Sequence, residues 1–463
     1  MSARREAGLG RDLVAAHLEH ARDRTLGLLD GFDERDLRRQ VSPLMSPLVW
    51  DLAHIGHYEE LWLLRNLAGA PPTDPHYDDV YDAFKHPRRE RPDLRILDPR
   101  GARAYLATVR ARVLDGLASA DLESGDALLH AGFVYGMVVQ HEHQHDETML
   151  ATIQLMERPV PEAPAFDAAL LAPRAPAASP PAADYADHAD DEIGLPGGAF
   201  VMGTDAEPWA YDNERPAHET EVAPFRIDRT PVTNARYAAF VGDGGYDDAR
   251  LWTDAGWKWR MEADLAHPQF WRREAGTGAV DSWTVLRFGH RLELAAVADE
   301  PVQHVCWYEA DAYARWAGKR LPTETEWEYA ASWTPGGGKR RYPWGDADPD
   351  ESLANLGQLR LGPDACGARP GGASAFGVEQ MVGDVWEWTA SDFDGYPGFR
   401  SFPYREYSEV FFPDPARPGS AGYKVLRGGS WATHPSAMRN TFRNWDYPIR
   451  RQIFSGFRCA RDA

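Results

Sequence analysis

The 463-residue chain has few cysteines, which limits the covalent and metal chemistry that it can carry. The three cysteines, Cys306, Cys366 and Cys459, lie far apart, and no Cys-x-x-Cys pair is present. This distribution is neither that of a disulfide framework nor that of a thiolate metal site. We therefore expect free thiols and a cytoplasmic location.

The chain also lacks an excess of basic residues and any long apolar run. It has 50 Lys and Arg against 71 Asp and Glu, a formal net charge of −21, whereas nucleic-acid partners require a basic face. No run approaches the length of a membrane span, and the charged N-terminus, MSARRE, lacks the apolar core of a signal peptide. We expect a soluble protein of roughly two or three domains that binds neither nucleic acid nor membranes.

Changes of composition divide the chain into three parts. Residues 1–158 carry four amphipathic helical patterns, which predict a helical bundle; they lie at 14–28, 50–67, 103–117 and 126–156. Residues 159–192 are rich in Pro and Ala and predict an extended connector. Residues 193–463 have short strand patterns, many turns and most of the tryptophans, which favours an irregular α+β domain over a wound parallel sheet. Within this part, Thr323 and Glu326 have capping-box spacing and predict a helix start.

The most informative stretch is 140–147, QHEHQHDE, within the fourth helical pattern. His141 and His145 are four residues apart, so they share one helix face, and that face continues through apolar residues toward the predicted core. A divalent metal would explain two imidazoles there, and so would hydrogen bonds to neighbouring hydroxyl groups; the spacing leaves both open. His143 falls on the opposite side of the helix, which we expect to be solvated.

A metal held by two histidines needs a further ligand from another helix. The segment 50–62, WDLAHIGHYEELW, offers His54 on its packing face, with His57 as the rival. Three neutral imidazoles leave coordination positions open for substrate or dioxygen, and zinc and iron both accept such a set. The histidine stretch also satisfies H-E-x-x-H, the helix of zinc proteases, in which Glu142 is the general base. No third histidine follows at the protease spacing, so we treat a zinc hydrolase as the alternative.

These motifs resemble those of a known family. Three N-terminal motifs resemble the DinB-like four-helix bundle of the ergothioneine-biosynthesis sulfoxide synthases, the hercynine oxygenase (EgtB) family: WDLAHIGH (50–57), HPRRER (86–91) and QHEHQHDETML (140–150). Five later motifs resemble the formylglycine-generating-enzyme, or sulfatase-modifying-factor, domain, a C-type-lectin-like fold: PVTN (231–234), GKRLPTETEWE (318–328), YPWG (342–345), GDVWEW (383–388) and VLRGGSW (425–431). The resemblance covers the chain apart from the connector and implies a multidomain α and α+β protein.

The resemblance also implies an activity and a set of site residues. The family members are Fe(II)- and O2-dependent oxidoreductases, which join the thiol sulfur of γ-glutamylcysteine to imidazole C2 of hercynine and leave a sulfoxide. His54, His141 and His145 match the iron ligands, so the implied cofactor is Fe2+. Tyr407 matches the tyrosine that supplies a proton during oxygen reduction, with Tyr404 as the alternative. The implied substrate-binding residues are Arg88 and Arg91 for a γ-glutamylcysteine carboxylate, Gln144 for the hercynine imidazole, Asp446 for an ammonium group, and Asn444, Trp445 and Arg450 for the rest of the thiol-substrate pocket.

Other interpretations stay open at this point. Free cysteine is the alternative thiol donor for the same chemistry, although the paired arginines favour the dipeptide. A zinc hydrolase and a non-catalytic protein with a lectin-like binding domain are the alternatives of a different class. For the favoured interpretation we expect a monomer whose partners are the small molecules hercynine, γ-glutamylcysteine and O2.

Overall fold

A computed structural model of the chain describes residues 10–173, 191–273, 283–414 and 422–463. The chain divides into two compact units, Met1–Asp167 with Ala206–Trp209, and Ala168–Asp205 with Ala210–Ala463. The predicted boundaries after residues 158 and 192 stay a prediction. Within the described ranges, no helix combines the length and the apolar character that crossing a membrane requires.

The first unit is helical. Its α-helices are α1 (Arg11–Leu28), α2 (Glu34–Arg38), α3 (Leu48–Glu59), α4 (Tyr77–Val80), α5 (Pro99–Leu117) and α6 (Phe133–Gln154). A π-helix, Glu60–Asn66, continues α3, and 3₁₀-helices span Arg88–Asp93, His130–Gly132 and Pro164–Phe166. Helix α1 packs against α6, and α3 packs against both α5 and α6. The four long helices therefore form the core of this unit.

Local sequence explains where these helices begin. Helix α5 starts at Pro99, and Asp98 before it accepts a hydrogen bond from the amide of Gly101 (2.7 Å), a standard N-cap. Helix α6 starts at Phe133, seven residues later than the predicted 126. The prediction was wrong there because Ala131 (φ 51°) and Gly132 (φ 68°) have left-handed backbone conformations, which interrupt a right-handed helix.

The segment Ala206–Trp209 joins the first unit through Trp209. Gly136 on α6 leaves room for this indole, since a Cβ at that position would come within 2.1 Å of the ring. The indole Nε1 of Trp209 also donates to the carbonyl oxygen of Ala131 (3.2 Å). A glycine inside α6 is unfavourable for the helix by itself, so its presence here is explained by this close packing.

The second unit is built from short strands and helices. The strands are β1 (Glu192–Leu195), β2 (Gly198–Met202), β3 (His218–Val222), β4 (Phe225–Asp228), β5 (Trp271–Arg273), β6 (Trp283–Arg287), β7 (His290–Glu293), β8 (Trp386–Asp392), β9 (Lys424–Arg427), β10 (Asn444–Asp446), β11 (Ser455–Gly456) and β12 (Ala460–Asp462). In the part of the chain that the structure describes, they form sheets of order β1-β4-β12, β10-β9-β8-β11, β2-β3 and β5-β6-β7. Strand β11 runs parallel to β8, and the other pairs are antiparallel.

The described part of this unit also contains five α-helices. They are α7 (Ala168–Leu171), α8 (Asn234–Gly242), α9 (Asp254–Glu262), α10 (Trp307–Trp316) and α11 (Glu324–Ser332). Short 3₁₀-helices lie at Asp212–Glu214, Ala249–Leu251, Leu294–Val297, Pro370–Gly372, Arg405–Tyr407, Glu409–Phe411 and Pro435–Ala437. The predicted capping box is confirmed, because Thr323 Oγ1 accepts from the Glu326 amide (3.1 Å) while Glu326 Oε2 accepts from the Thr323 amide (2.8 Å). A buried core around Trp327 joins α11 to β2, β3 and β4.

The described part of the predicted connector is not wholly extended. It contains the 3₁₀-helix Pro164–Phe166 and the single turn α7, and Phe166 and Leu171 are buried. The prediction of a wholly extended connector was therefore wrong over residues 164–171. A Pro/Ala composition disfavours long helices, but a proline is well tolerated in the first turn of a short one. The rest of the Pro/Ala-rich stretch, 174–190, lies outside the described residues.

Candidate metal centre

The structure brings the three predicted histidine ligands together. His54 comes from α3, and His141 and His145 come from consecutive turns of α6. Their ring centroids are 5.0 Å (His54–His141), 4.6 Å (His54–His145) and 4.6 Å (His141–His145) apart. One ring nitrogen from each histidine lies within 4.8 Å of the other two. Three imidazoles so placed make a candidate site for one metal ion.

Hydrogen bonds orient two of these rings. His54 Nδ1 lies 2.7 Å from the carbonyl oxygen of Tyr81, which can only accept, so Nδ1 carries the proton. His145 Nδ1 lies 3.2 Å from Oδ1 of the buried Asp51, which assigns the proton to Nδ1 in the same way. Each ring is therefore left with an Nε2 lone pair for a metal. Such hydrogen bonds from the second nitrogen are typical of metal-binding histidines.

The protonation state also suits a metal. Burial lowers the pKa of His54 well below its ordinary value, and the nearby His145 adds to this shift. Burial likewise lowers the pKa of His141 well below its ordinary value, with His145 and His54 contributing. Both rings are therefore neutral at pH 7, and neutral imidazole is the form that binds metal ions. The residues present fit a divalent transition metal.

Aromatic side chains hold two of the histidine rings. The indole of Trp50 is stacked on His54 with centroids 4.8 Å apart and an interplanar angle of 14°, and its Nε1 donates to the Val80 carbonyl (2.7 Å). The phenol ring of Tyr58 is stacked on His141 at 3.7 Å and 11°. Trp50, His54 and Tyr58 are spaced four residues apart on α3, so helical periodicity places all three on one face.

The rival ligand His57 is engaged elsewhere. Its Nε2 lies 2.9 Å from Asp78 Oδ1, and Arg65 donates two hydrogen bonds to the same carboxylate (2.5 and 3.0 Å). His57 is also absent from the histidine cluster of the described residues. The geometry thus places His54, and not His57, with the histidines of α6.

The expectation that His143 is solvated was wrong. Its side chain is 1% exposed, and Nδ1 lies 3.2 Å from Asp146 Oδ2 and 3.3 Å from Arg24 Nη1. The opposite side of α6 does not face water, because α1 packs there. A helix with two polar faces is ambiguous from sequence, since either face can be the buried one.

Glu142 lies in the same buried layer and is not available as a general base. It forms ion pairs with Arg22 (2.7 Å) and Arg110 (2.9 Å), and Thr25 donates to it (3.0 Å). Burial by itself would raise the pKa of Glu142, but the two arginines outweigh this effect and lower the pKa to about 2. A zinc-protease glutamate must reach a metal-bound water, so these contacts argue against the zinc-hydrolase interpretation.

The two predicted carboxylate-binding arginines differ in environment. Arg88 is half-buried, and its Nη1 donates to the Leu44 carbonyl (2.9 Å). Arg91 is 4% exposed, and its guanidinium lies over the Trp50 ring with Cζ 3.6 Å from the centroid. Arg91 is therefore linked to the histidine cluster indirectly, because Trp50 is stacked on His54. Gln144, the predicted hercynine-binding residue, is half-buried on α6 immediately before His145.

The predicted residues of the second unit form a group of their own. The Tyr407 ring makes an edge contact with Trp445 (5.7 Å, 88°), and Trp445 is stacked on Phe393 (4.1 Å, 7°). Asp446 Oδ1 and Arg450 Nε form an ion pair of 3.3 Å. Asn444, Trp445 and Asp446 together make up β10, which pairs with β9. The structure therefore brings Tyr407 and the four predicted residues between 444 and 450 into one part of this unit.

Tyr211 and Asp212, which precede β3 in the sequence, contact Tyr407 and the neighbouring Ser408. The Tyr407 ring is stacked on Tyr211 (4.1 Å, 21°) and makes an edge contact with Tyr404 (6.2 Å, 71°). Next to Tyr407, the buried Ser408 donates to Asp212 Oδ1 (2.5 Å). Burial raises the pKa of Asp212 to about 6, although the Ser408 hydroxyl opposes the shift.

Sequence reasoning missed the residues that support the metal centre. Asp51 was overlooked, although a carboxylate inside the apolar stretch 48–58 is itself a signal, because a buried charge needs a partner. The contacts of Arg22 and Arg110 with Glu142 were missed as well. These three residues lie on three different helices, so no local spacing in the sequence indicates their contacts.

Two family models and a solved structure are similar to parts of this chain. Residues 17–149 match the DinB superfamily and residues 177–463 match the Sulfatase-modifying factor enzyme 1-like domain, which confirms the predicted fold class. The solved structure of PvdO from Pseudomonas aeruginosa is similar at a TM-score of 0.39 and 23% identity, over 59% of this chain and 94% of that chain.

Two curated relatives match nearly the whole chain. A hercynine oxygenase of Mycolicibacterium smegmatis is 50% identical over 461 residues, which covers 98% of this chain and 100% of the relative. A hercynine oxygenase of Mycobacterium tuberculosis is 49% identical over 454 residues, which covers 97% of this chain and 98% of the relative. Since the identity is this high over both predicted domains, the chain belongs to the hercynine oxygenase family and is an oxidoreductase.

Proposed function

We propose that the protein uses Fe2+ and O2 to couple hercynine to γ-glutamylcysteine, giving γ-glutamyl-hercynylcysteine sulfoxide in ergothioneine biosynthesis. The observation that carries this proposal is the cluster of His54, His141 and His145 in a chain of this family. The reaction balances, because the imidazole C–H and thiol S–H bonds are replaced by a C–S bond, one oxygen atom enters the sulfoxide, and the other leaves as water.

The metal is proposed to be iron because the reaction consumes O2. When bound, iron supplies the redox chemistry that activates dioxygen, whereas zinc has no redox chemistry. The protein's own part is to present three imidazoles from two helices and to hold their rings. All three histidines come from one chain, so the centre needs no second copy.

The substrate roles follow from charge. γ-Glutamylcysteine carries two carboxylates and one ammonium group, and guanidinium groups bind carboxylates in a planar, bidentate way. We assign Arg88 and Arg91 to a carboxylate of this substrate and Asp446 to its ammonium group. Asn444, Trp445 and Arg450 are proposed to complete the recognition of the thiol substrate, and Gln144 to orient the hercynine imidazole. Free cysteine is the alternative donor, with fewer charges for these residues to bind.

Tyr407 is the proposed proton donor for oxygen reduction. A phenol can act as a general acid, and the stacking of this ring on Tyr211 limits its motion. The free cysteines Cys306, Cys366 and Cys459 support a reducing compartment and hence a cytoplasmic location.

One assay tests the proposed function. The protein is reconstituted with Fe2+ under anaerobic conditions and mixed with hercynine, a thiol donor and O2, and the products are identified by mass spectrometry. We expect the γ-glutamyl-hercynylcysteine sulfoxide, formed faster from γ-glutamylcysteine than from free cysteine. A sulfoxide formed only from cysteine would overturn the donor assignment, and absence of any coupled product would overturn the function.

A further inference from the structure

The guanidinium of Arg91 interacts with Trp50 and Asp51. These two residues contact His54 and His145, two of the three clustered histidines. We propose that Arg91 is a positioning residue of the metal centre, which holds Trp50 against His54 and balances the charge of Asp51 beside His145. This role is additional to carboxylate binding and rests on the metal centre of the proposed function. Arg88, three residues earlier in the same 3₁₀-helix, is then the member of the pair that acts on the substrate alone.

The first observation is a continuous contact from Arg91 to His54. Arg91 Cζ lies 3.6 Å from the centroid of the Trp50 ring, and the same indole is stacked on His54 at 4.8 Å and 14°. A desolvated cation over an indole is a favourable contact. The indole is also held by its hydrogen bond to Val80, so it cannot turn away without losing both contacts. Because Trp50 contacts both side chains, the position of the Arg91 guanidinium affects that of the predicted ligand His54.

The second observation is that Arg91 is immobilised. Nη1 donates to Ser46 Oγ (2.7 Å), Nη2 to the Ala83 carbonyl (3.0 Å) and Nε to the His86 carbonyl (3.2 Å). These bonds use three of the five N–H donors of the guanidinium. At most two remain for a substrate carboxylate. A buried and largely satisfied guanidinium is suited to holding its neighbours in place.

The third observation concerns Asp51 and its charge. Asp51 is 1% exposed, its Oδ1 accepts from His145, and its Oδ2 has no hydrogen-bond partner among the residues that the structure describes. A buried carboxylate without a compensating charge is costly. Arg91 interacts electrostatically with Asp51, which opposes the lowering of the Arg91 pKa to about 10 by burial. Arg91 remains cationic at pH 7 and is therefore a favourable electrostatic partner for Asp51, whose Oδ1 accepts from His145.

Metal affinity tests this proposal without any turnover. The full chain is stripped of metal, and Co2+, whose ligand-field spectrum reports its surroundings, is titrated into wild type, Arg91→Ala and Arg88→Ala. Loss of partners that orient metal ligands typically weakens metal binding about 10- to 100-fold. We expect this loss and a shifted Co2+ spectrum for Arg91→Ala. Arg88→Ala is the matched control and should keep the wild-type affinity and spectrum while raising KM for the thiol donor.

Two further variants keep the test decisive if Arg91→Ala folds poorly. Arg91→Lys keeps the charge but loses the planar stack, so it should recover part of the Co2+ affinity and leave the spectrum shifted. Trp50→Phe removes the indole through which Arg91 contacts His54. If the two residues act together, the double variant Trp50→Phe/Arg91→Lys should lose less Co2+-binding free energy than the sum of the losses in the two single variants. If the two losses of binding free energy simply add, Arg91 does not act on His54 through Trp50, and the proposal is contradicted.

A purely structural role makes a different set of predictions. In that case Arg91→Ala would lower the melting temperature of the metal-free protein but bind Co2+ with wild-type affinity and spectrum, and the proposal would be overturned. The outcome is separable from the proposed function. A wild-type protein that binds Co2+ but forms no sulfoxide refutes the function, whereas an active Arg91→Ala protein with unaltered metal affinity refutes the positioning role.

Discussion

Four buried charges connect the four long helices of the first unit, and removing one of them should destabilise that unit strongly. Arg22 lies on α1, Glu59 on α3, Arg110 on α5 and Glu142 on α6. We call these residues the charge lattice. Its side chains are almost fully buried, and its formal charges sum to zero. The perturbation that we develop is Arg110→Met, which keeps much of the side-chain volume and removes the charge.

The structure indicates how much this change should cost. Arg110 donates to Glu59 (2.6 and 3.2 Å), to Glu142 (2.9 Å) and to the Leu18 carbonyl. The variant leaves two carboxylates with one arginine and removes the side-chain hydrogen bond to the Leu18 carbonyl. Breaking a buried ion pair by removing one partner costs about 3–5 kcal/mol. For a unit of this size that corresponds to a decrease of roughly 6–20 °C in its melting temperature.

Hydrogen exchange measured by mass spectrometry is the appropriate assay, because it reports the free energy of opening for each helix separately. We expect faster exchange in α1, α3, α5 and α6 of Arg110→Met and unchanged exchange in the strands of the second unit. The matched control is Arg100→Met on the same helix, since Arg100 is exposed and should change the free energy by no more than about 0.5 kcal/mol.

A second variant separates charge from packing. Arg110→Met combined with Glu59→Gln restores a net charge of zero and should recover a large part of the lost stability. If Arg110→Met destabilises no more than Arg100→Met, the charge lattice does not hold the helices together. If the double variant is no more stable than Arg110→Met alone, the loss does not arise from charge imbalance. Either result would refute the reasoning.

The charge lattice also predicts acid sensitivity with a definite sign. The folded pKa of Glu142 is lowered to about 2, whereas an unfolded glutamate titrates near about 4.3. Between these two pKa values the unfolded chain binds more protons than the folded one, so the free energy of unfolding rises with pH. Above the unfolded pKa the stabilising contribution of Glu142 is fully present. The contribution of Glu142 is therefore lost as the pH falls from about 4.3 toward 2. Glu142→Gln should flatten this part of the stability profile.

Three further predictions concern the metal and the substrates. His54→Ala should abolish binding of Fe2+ and activity, whereas His57→Ala should retain metal; the reverse result in a metal assay would show that the ligand assignment is wrong. Arg88→Ala should lower kcat/KM for γ-glutamylcysteine by roughly 10- to 150-fold, from the loss of about 1.5–3 kcal/mol in a charge-assisted contact, and should erode the preference over cysteine. Tyr407→Phe should slow the proton-dependent step by about 10²–10⁴-fold and divert product from sulfoxide to the sulfinic acid of the thiol, as quantified by mass spectrometry. Tyr404→Phe is its control, and diversion in that variant alone would move the role three residues upstream.

The positions of several elements followed from local sequence patterns. The stripe of apolar residues in α1, the N-cap spacing before α11, and the four-residue separation of His141 and His145 all depend on the 3.6-residue period of a helix. This period acts over one or two turns, so it could be evaluated without any knowledge of the fold. The motifs of both halves carried the family resemblance in the same way, because they are short and contiguous.

The residues that pack against each face of a helix depend on the tertiary structure and could not be predicted from local sequence. His54 and His57 lie on one helix with similar neighbours. Asp78, 21 residues after His57, contacts the His57 ring, whereas His54 lies with the α6 histidines. Likewise, His143 is buried because α1 covers its side of α6. Arg91 shows the same effect, since nothing within the motif HPRRER indicates that this arginine is buried against Trp50. Periodicity determines which residues share a face, but burial and charge pairing depend on partners that are distant in the sequence, and these are chosen by the packing of the whole unit.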